Sequence, residues 1–402
     1  MSILPNNRGI GWSHYGFALF LTFVLSYNVS ANPRTPVDEK EVLQTLSVTN
    51  KQMSVEIKRL RQQLSTSPDN ASVAAKLAKA YIKIARSSSD IRYYGYARAI
   101  LKPWWEDSNP PHKILFLRAV IRQYKHQYQQ AEEDLKALLK QQPQNAQAWL
   151  TLSTIQMVQG DYPKARAGCS ALARTASAWL SNVCHSQVMS LTGAAERAFT
   201  LQQTLASQIG ARQAYLYQWI LGLTAETATR LGKKSQAEQY FKQALSLPTR
   251  DAYLLRIYSD TLLYENKPKQ VLALLKDETQ DDALLLRLTI AAQHAKETIL
   301  SEKYQKLLLS RYKAASIRGS QLHQRDEALF LLELKKKDKV ALKRALDLAI
   351  NNWKIQKEPD DALILLRAAI VNQSTAQIEV IREWISQHKL QDQRLQKYLQ
   401  GV

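Results

Sequence analysis

The feature that most constrains this chain is a repeat of 34 residues. Ala97, Ala131 and Ala165 follow one another at this interval, and the same offset relates Tyr128 to Tyr162. A unit of this length cannot bury its apolar face alone, so successive copies must stack on one another. The repeat therefore predicts an elongated array in which each copy mainly contacts its neighbours.

Each copy is built from two amphipathic segments. Residues 112–124 and 146–158 carry apolar side chains at intervals of three and four, which is the spacing of one helical face. Residues 129–141 and 163–175 follow as second segments of the same kind. The whole chain holds only 12 Gly and 12 Pro, and it is rich in the good helix formers Ala, Leu, Gln and Lys. We therefore predict an all-α fold made of antiparallel helix pairs.

The copy at 146–177 resembles the tetratricopeptide repeat. The positions that match are Trp149, Leu152, Ser153, Gly160, Tyr162 and Ala165. Cys169, Leu172 and Ser177 replace the usual aromatic residue, small residue and proline. The resemblance implies an α–α superhelix, a solenoid of about nine or ten helix pairs. The plan is also similar to that of exported bacterial tetratricopeptide-repeat proteins of uncharacterised function, which implies a compartment but no reaction.

Composition and repeat spacing divide the chain into four segments. These are a signal peptide at 1–31, an N-terminal helical cap at 32–70, tetratricopeptide repeats at 71–275, and degenerate helix pairs with a C-terminal capping helix at 276–402. In the last segment only the helical periodicity, without the motif, supports the pairs expected at 283–315, 325–351 and 360–388.

The first 31 residues are typical of a secretory signal peptide. Arg8 is the only charged residue before Arg34, and Phe17–Leu25 is a short apolar run. Small residues precede an expected cleavage site after Ala31. An apolar run of this length is short for a membrane-spanning helix, so an uncleaved N-terminal anchor is the weaker alternative. The segment predicts a periplasmic protein.

The chain has two cysteines, Cys169 and Cys184. In an oxidising compartment such a pair is a disulfide candidate, and two buried free thiols are the alternative. The first helix of one repeat packs on the second helix of the repeat before it. We therefore expect the two thiols to meet and to join adjacent repeats.

The formal net charge is +20, with the excess spread along the chain and densest in the run KKKDK at 335–339. Such a charge attracts acidic proteins, anionic lipid headgroups or polyanionic polymers. A generally basic, solvated surface is the simpler interpretation. No nucleic-acid-binding motif accompanies the charge, so nucleic acid is not expected as a partner.

Catalytic motifs are absent from the sequence. There is no GxSxG elbow, Gly-rich phosphate loop, HExxH or CxxC, and no two histidines stand three or four residues apart. The acidic pairs Glu132/Glu133 and Asp360/Asp361 lie at predicted helix starts, where the helix dipole favours negative charge. We therefore expect a protein that is not an enzyme, without a cofactor or a metal site.

Solenoids of this kind bind through the concave surface that the first helices of the pairs form. By the resemblance, the candidate peptide-binding residues are Lys113, Phe116, Gln123, Tyr124, Leu150, Thr154, Met157, Trp219, Arg230, Tyr253, Arg256 and Tyr264. Aromatic and Arg side chains are the usual binding hot spots. The set suits an extended or helical peptide with some negative charge. Ordinary packing between helices is the alternative for each residue.

Two hypotheses about function follow. The leading one is a non-catalytic periplasmic scaffold or adaptor that binds a partner protein or peptide segment in its concave groove, with an acidic segment favoured. The alternative is a basic envelope-binding module that recognises anionic lipid headgroups or a polyanionic cell-envelope polymer.

The stretch KPWWEDSNPP at 102–111 joins two repeats. The 34-residue register aligns Trp104 with Leu138 and Leu172, so Trp104 is expected in the core. Adjacent residues of a helix point in different directions, so Trp105 is expected to cover the loop or to be exposed.

Overall fold

A computed structural model describes residues 51–210, 213–317 and 324–401, which all lie within one unit, Asn50–Val402. The helices are α1 (Lys51–Thr66), α2 (Ala71–Ser88), α3 (Arg92–Ile100), α4 (His112–Tyr124), α5 (Tyr128–Gln141), α6 (Ala146–Val158), α7 (Tyr162–Thr175), α8 (Ala178–Leu191), α9 (Ala195–Ile209), α10 (Ala214–Arg230), α11 (Lys234–Leu245), α12 (Ala252–Tyr264), α13 (Pro268–Leu274), α14 (Asp282–His294), α15 (Thr298–Ile317), α16 (Gln324–Leu334), α17 (Lys339–Trp353), α18 (Pro359–Val371), α19 (Thr375–His388) and α20 (Gln393–Leu399). No strand occurs in the described ranges. The predicted signal peptide lies outside them, and the other segment boundaries stay predictions.

Helix pairs form where the repeat predicts them. α4 and α6 have the predicted bounds, and α5 and α7 each begin one residue earlier than predicted. The three pairs without a motif also form, as α14 with α15, α16 with α17 and α18 with α19. Each pair packs on the next one, as a solenoid requires. The all-α solenoid is confirmed.

The turn inside the pairs has a common backbone conformation. Gly160, between α6 and α7, has a φ of +79°, a value that glycine adopts without steric cost. The equivalent residue one repeat earlier, His126, takes the same left-handed conformation with a φ of +57°. After Gly160, the Asp161 side chain accepts a hydrogen bond from the Lys164 backbone N–H and caps α7. The repeat therefore specifies the turn geometry even where glycine is missing.

Small residues lie where two helices approach each other most closely. Ala97, Ala131 and Ala165, which define the repeat, are fully buried. Between α6 and α7, a Cβ added to Gly168 would lie 2.2 Å from the Ser153 Oγ. A larger side chain at these positions would push the helices of a pair apart, so the repeat is fixed by steric fit.

The disulfide expected from the sequence is present. Cys169 on α7 and Cys184 on α8 are bonded, with their Cα atoms 5.4 Å apart, and both residues are fully buried. The bond joins the second helix of one pair to the first helix of the next. A bridge that closes a loop of this length contributes about 3 kcal/mol in the loop-entropy account.

The prediction for the two tryptophans at the junction is wrong. Trp105 is the buried one, with the guanidiniums of Arg98 and Arg122 over its ring at 5.1 and 5.6 Å, while Trp104 is half-buried. The cause is the end of α3 at Ile100, after which a 3₁₀ turn spans Lys102–Trp104. A 3₁₀ turn places side chains at about 120° intervals rather than 100°, so the helical register no longer applies.

The solenoid curves until its C-terminal part contacts the repeats near its beginning. The Lys357 backbone N–H donates to the Val158 carbonyl over 2.7 Å, and the Tyr128 hydroxyl donates to Gln356 Oε1 over 3.0 Å. Further along, the Ala195 backbone N–H donates to Gln391 Oε1 over 2.8 Å. The segments before α18 and α20 thus lie against the turns that follow α6 and α8, and they close one side of the concave surface.

Candidate functional site: the concave cavity

The concave surface encloses a partly open space of about 370 Å³, which we call the concave cavity. Most of its wall comes from the first helices of four successive pairs, α6, α8, α10 and α12. The rest comes from Tyr162, Gln202 and Phe241 on second helices, from Glu358, Pro359 and Asp360 at the start of α18, and from Arg394 on α20. Its size is near the lower end of the usual range for ligand pockets, about 300–1,000 Å³.

Half of the predicted groove residues meet at this cavity. Its lining includes Thr154, Met157, Trp219, Arg230, Tyr253 and Arg256. The predicted Tyr264 lines a separate depression of about 620 Å³, where the Lys397 ammonium lies 5.7 Å from the centre of its ring. Whether these residues contact a partner stays a prediction.

The other five candidates lie outside the cavity. Tyr124 stacks on Tyr94 with ring centres 3.7 Å apart, and Phe116 and Leu150 pack against the hydrophobic core. Lys113 is exposed, and the remaining candidate, Gln123, is half-buried. The tetratricopeptide register places these residues on first helices, as predicted. Some of them, however, pack against neighbouring helices or lie near a helix end, and do not line the cavity.

Ionisable groups are concentrated around the concave cavity. They are the carboxyls of Glu226, Asp260, Asp326, Glu358, Asp360, Asp361 and Asp392, and the guanidiniums of Arg230, Arg256, Arg287, Arg325 and Arg394. We call this set the interior charge network. Because it has more carboxyls than guanidiniums, its local balance is opposite in sign to the net charge of the chain.

On one side of the network, Arg287 holds two carboxylates. Its side chain is 2% exposed, with Nε 2.8 Å from Asp260 Oδ1 and Nη1 2.7 Å from Asp326 Oδ1. Burial by itself raises the pKa of Asp326, but Arg287 and Arg325 outweigh burial and lower it to about 2. Both carboxyls in this part of the network are therefore paired with Arg287.

The start of α18 reaches the network from the C-terminal part of the chain. Asp360 accepts a hydrogen bond from Arg394 Nη1 over 2.9 Å and lies 3.7 Å from Arg256 Nη1. Burial raises the pKa of Asp360, but Arg394 and Arg256 outweigh it and hold the pKa below its ordinary value. The guanidinium of Arg256 is therefore already opposite a carboxylate of its own chain.

Two carboxyls of the network behave in the opposite way. Burial and the neighbouring Asp361 carboxylate raise the pKa of Glu358 to about 7, although Arg325 Nη1 lies 3.1 Å from its Oε2. Burial also raises the pKa of Glu226, which accepts a hydrogen bond from the Tyr253 hydroxyl. These two groups lack enough positive charge around them to offset burial.

Sequence reasoning missed Glu358, Asp360 and Arg394, which come from pairs without a motif. The sequence assigned Asp360 and Asp361 to a helix start, and Asp361 does hydrogen-bond to the Glu358 backbone N–H there, 3.0 Å away. Asp360, however, points to Arg394 and Arg256 instead. These segments reach α12 only because the solenoid curves, and no local sequence pattern predicts that contact.

The described ranges also bear on metal and membrane sites. Within them, no group of three or more His, Cys, Asp or Glu side chains is placed to hold a metal ion. None of the described helices has the length and apolar character needed to cross a membrane.

Comparison with known proteins gives a family match and distant structural matches. The family model described as tetratricopeptide repeat matches residues 124–178. A search of curated proteins found no match. Among solved structures, a tetratricopeptide repeat protein from Parabacteroides merdae is similar at 13% identity, over 64% of this chain and 92% of that chain, with a TM-score of 0.42. A Rap protein complexed with Competence and Sporulation Factor is similar at 12% identity, over 87% and 98%, with a TM-score of 0.47. Both TM-scores are below 0.5.

Proposed function

We propose that this chain, in which residues 124–178 match the tetratricopeptide repeat model, is a non-catalytic scaffold that binds a partner protein through its concave surface. The observation that supports this most directly is the meeting of six predicted groove residues at one cavity. Most of the wall of this cavity comes from consecutive first helices, which is the arrangement expected of a binding surface in a solenoid.

The side chains at the cavity are of the kinds that dominate binding energy. Tyr253 is 50% exposed, and the half-buried Trp219 packs edge-on against Trp179 with ring centres 6.5 Å apart. Arg256 lies 5.0 Å over the Tyr253 ring. Rigid aromatic rings supported by neighbours bind at a low cost in conformational entropy. Trp219 and Tyr253 are therefore our proposed anchors.

The size of the cavity limits what enters it. A helix with its side chains is about 10–12 Å across, which is too wide for a space of about 370 Å³ that the start of α18 partly fills. Individual side chains of a short extended segment fit. We therefore propose that the partner inserts a few side chains of such a segment, while the rest of it stays on the outer rim.

We also propose that the protein is exported to the periplasm. The predicted signal peptide at 1–31 supports this. The bond between Cys169 and Cys184 adds support, because disulfides form and persist in oxidising compartments. Cell fractionation and N-terminal sequencing test it. A mature chain that begins near Asn32 in the periplasmic fraction is expected, and a cytoplasmic chain that keeps Met1 would contradict it.

A crosslinking pull-down with matched variants tests the scaffold proposal. The doubly substituted chain Trp219→Ala/Tyr253→Ala is expected to lose at least about tenfold in partner recovery, since two aromatic hot spots are removed. Tyr215→Ala is the control, because Tyr215 lies on the same helix as Trp219, is 68% exposed and does not line the cavity. Equal loss in both chains, or no loss in either, would contradict binding at the concave cavity.

A second candidate function, binding to an anionic envelope surface, is favoured by α15. Its exposed side carries Lys303, Lys306 and Lys313, and the apolar Ile299 and Leu309 lie beside them at 87% and 45% exposure. Basic and apolar side chains together suit an anionic lipid surface. Cosedimentation with vesicles of anionic lipid is expected to fall steeply with added salt and on Lys303→Gln/Lys306→Gln/Lys313→Gln substitution. Equal binding to zwitterionic vesicles would rule this function out.

A further inference from the structure

The carboxyls of the interior charge network face the concave cavity more openly than its guanidiniums do. The side chains of Glu226, Asp260, Glu358 and Asp360 line the cavity and are between 21% and 30% exposed. The cavity-lining arginines are only 8–10% exposed, and they are Arg230, Arg256 and Arg394. A ligand that enters the cavity therefore meets carboxylate oxygens first.

A buried amide in the wall also lacks partners. Gln202 on α9 is fully buried and lines the cavity, and neither its Oε1 nor its Nε2 has a hydrogen-bond partner in the protein. Leaving such a group without a hydrogen bond costs about 1–3 kcal/mol. Its Oε1 can accept a hydrogen bond and its Nε2 can donate one. The wall therefore offers a hydrogen-bonding position to a ligand, such as a peptide, that carries both donors and acceptors.

Aromatic rings lie beside these acceptors. Tyr253 donates its hydroxyl proton to Glu226 and exposes half of its surface, and Trp219 lines the same cavity. The faces of aromatic rings attract cations, with Trp the strongest of them. Carboxylates and aromatic rings in one cavity form the combination that binds an ammonium or guanidinium group.

Two buried arginine donors add a second requirement. Arg230 Nε and Arg256 Nη1 have no hydrogen-bond partner in the protein, although both residues are less than 10% exposed and line the cavity. A free amine cannot satisfy them, because it has no acceptor. The carbonyl groups of a peptide backbone can, and the side chain of the same residue can deliver the cation to the carboxylates.

We propose that the concave cavity binds a lysine or arginine side chain of a peptide segment, with its cation against Glu226 and Glu358 and its backbone carbonyls against Arg230 and Arg256. The proposal rests on the proposed function, because the segment belongs to the partner that the scaffold binds. It replaces the expectation of an acidic segment. That expectation required arginines whose charge is not balanced within the protein. Arg256 Nη1 lies 3.6 and 3.7 Å from the carboxylates of Asp260 and Asp360, so its charge is balanced although it makes no hydrogen bond.

The electrostatics of the wall agree with this assignment. The pKa values of Glu226 and Glu358 are raised, which means that their negative forms are short of positive charge. A bound cation supplies that charge. The net charge of +20 opposes it weakly, because charges on the outer surface are screened over about 8 Å at physiological ionic strength.

The test measures, by ligand-observed NMR, how tightly short blocked peptides bind to the full mature chain. The probes are acetyl-Gly-Lys-Gly-amide, the same peptides with Gln or Glu at the centre, and free 1,4-diaminobutane. We expect the Lys peptide to bind at least about tenfold more tightly than the Gln peptide, as a charge-assisted contact requires. Equal binding of the Gln peptide, or tighter binding of the Glu peptide, would overturn the proposal. Equal binding of 1,4-diaminobutane would overturn the peptide source.

Isosteric variants locate the cation. Glu226→Gln and Glu358→Gln are each expected to lower the affinity for the Lys peptide by about three- to tenfold and to leave the affinity for the Gln peptide unchanged. The control is Glu133→Gln, an exposed carboxyl on α5 that is remote from the cavity lining. Thermal melts of each variant show that the fold is kept. Unchanged affinity in both cavity variants would overturn the assignment.

The outcomes separate this inference from the proposed function. If partner recovery depends on Trp219 and Tyr253 but the peptides show no preference for Lys, only the inference fails. If the Lys peptide binds as expected but the pull-down recovers no partner, the cavity chemistry stands and the scaffold proposal fails.

Discussion

The concave cavity and a second buried cluster on α14, α16 and α18 use the same side-chain types with opposite results. In the second cluster Glu333 has three basic neighbours: His294 Nε2 at 3.1 Å, Lys336 Nζ at 3.2 Å, and the guanidinium of Arg367. Burial raises the pKa of Glu333, but His294 and Arg367 outweigh it and lower it well below 4.5. In the cavity, Glu358 has its pKa raised to about 7.

The difference shows that the charges near a buried carboxyl, and not the net charge of +20, determine the direction of its pKa shift. The Glu333 cluster has more bases than acids, so its carboxyl is charged and structural. The cavity has more acids than bases, so it retains carboxyls that are not fully paired. We therefore expect Glu333 to contribute to stability, and Glu226 and Glu358 to contribute to binding.

The largest effect is expected from Arg287→Met. This change removes the guanidinium that pairs with Asp260 and Asp326 and leaves both carboxylates buried beside the cavity. We expect a loss of about 3–5 kcal/mol in the free energy of unfolding, measured by urea denaturation. Removing the carboxylates as well, in the triple variant with Asp260→Asn and Asp326→Asn, is expected to restore part of it. A loss below about 1 kcal/mol would contradict the pairing.

A smaller loss is expected from Glu333→Gln, which leaves Arg367 and Lys336 without their shared carboxylate. We expect about 1–3 kcal/mol at pH 7. Because the folded pKa of Glu333 is below 4.5, its contribution is present above about pH 4.5 and is lost as the pH falls through the folded pKa. Urea denaturation at pH 7 and pH 3 measures this. The same loss at both pH values would show that charge is not the cause.

The pH dependence at Glu358 is expected to have the opposite sign. Its folded pKa of about 7 exceeds its ordinary 4.5, so the folded state binds the additional proton between these values. Stability is therefore gained as the pH falls from about 8 to 5, by about 1 kcal/mol once partial exposure to solvent is allowed for.

The comparison with Glu358→Gln isolates that effect from the other charges that face Glu358, which are Arg325, Arg256, Asp360 and Asp361. The variant is expected to have a flatter pH profile than the unchanged chain between pH 5 and 8. Identical profiles for the two chains would contradict a raised pKa at this residue.

The smallest effect is expected from Tyr253→Phe. It removes the hydroxyl that donates to Glu226 and keeps the ring. We expect about 0.5–1 kcal/mol lower stability, as the loss of one hydrogen bond costs. Urea denaturation measures it, with Tyr215→Phe, an exposed tyrosine on α10, as the control. A loss as large as that of Arg287→Met would indicate that the ring, and not the hydrogen bond, has been disturbed.

Much of the fold was predictable because helix pairs are local. The bounds of α4 and α6 follow from apolar spacing, and the bond between Cys169 and Cys184 follows from the stacking of adjacent pairs. The prediction failed at Trp104 and Trp105, where a 3₁₀ turn ends the helical register. Register arguments therefore hold within a helix and fail one turn beyond its end.

The candidate site was predictable only in part. Trp219, Arg230, Tyr253 and Arg256 lie on first helices, and the family register places them at the concave surface, where the structure has them. Glu358 belongs to a part of the chain where the motif is absent, and its distance in sequence from α10 gives no hint of its position. The sign of the charge in the cavity depends on such residues. Because their position could not be predicted, the sequence suggested an acidic ligand, whereas the wall of the cavity is rich in carboxyls.

The repeating unit follows from the sequence, since the 34-residue spacing of Ala97, Ala131 and Ala165 sets how closely two helices approach and how each pair meets the next. Which distant pairs meet depends on the three-dimensional arrangement of the whole array. Each step between pairs adds a small rotation, and these rotations accumulate until Lys357 reaches Val158 and Asp360 faces Arg256. The total rotation is a property of the whole array. The concave cavity and its excess of carboxyls therefore form only when the C-terminal pairs contact the earlier repeats.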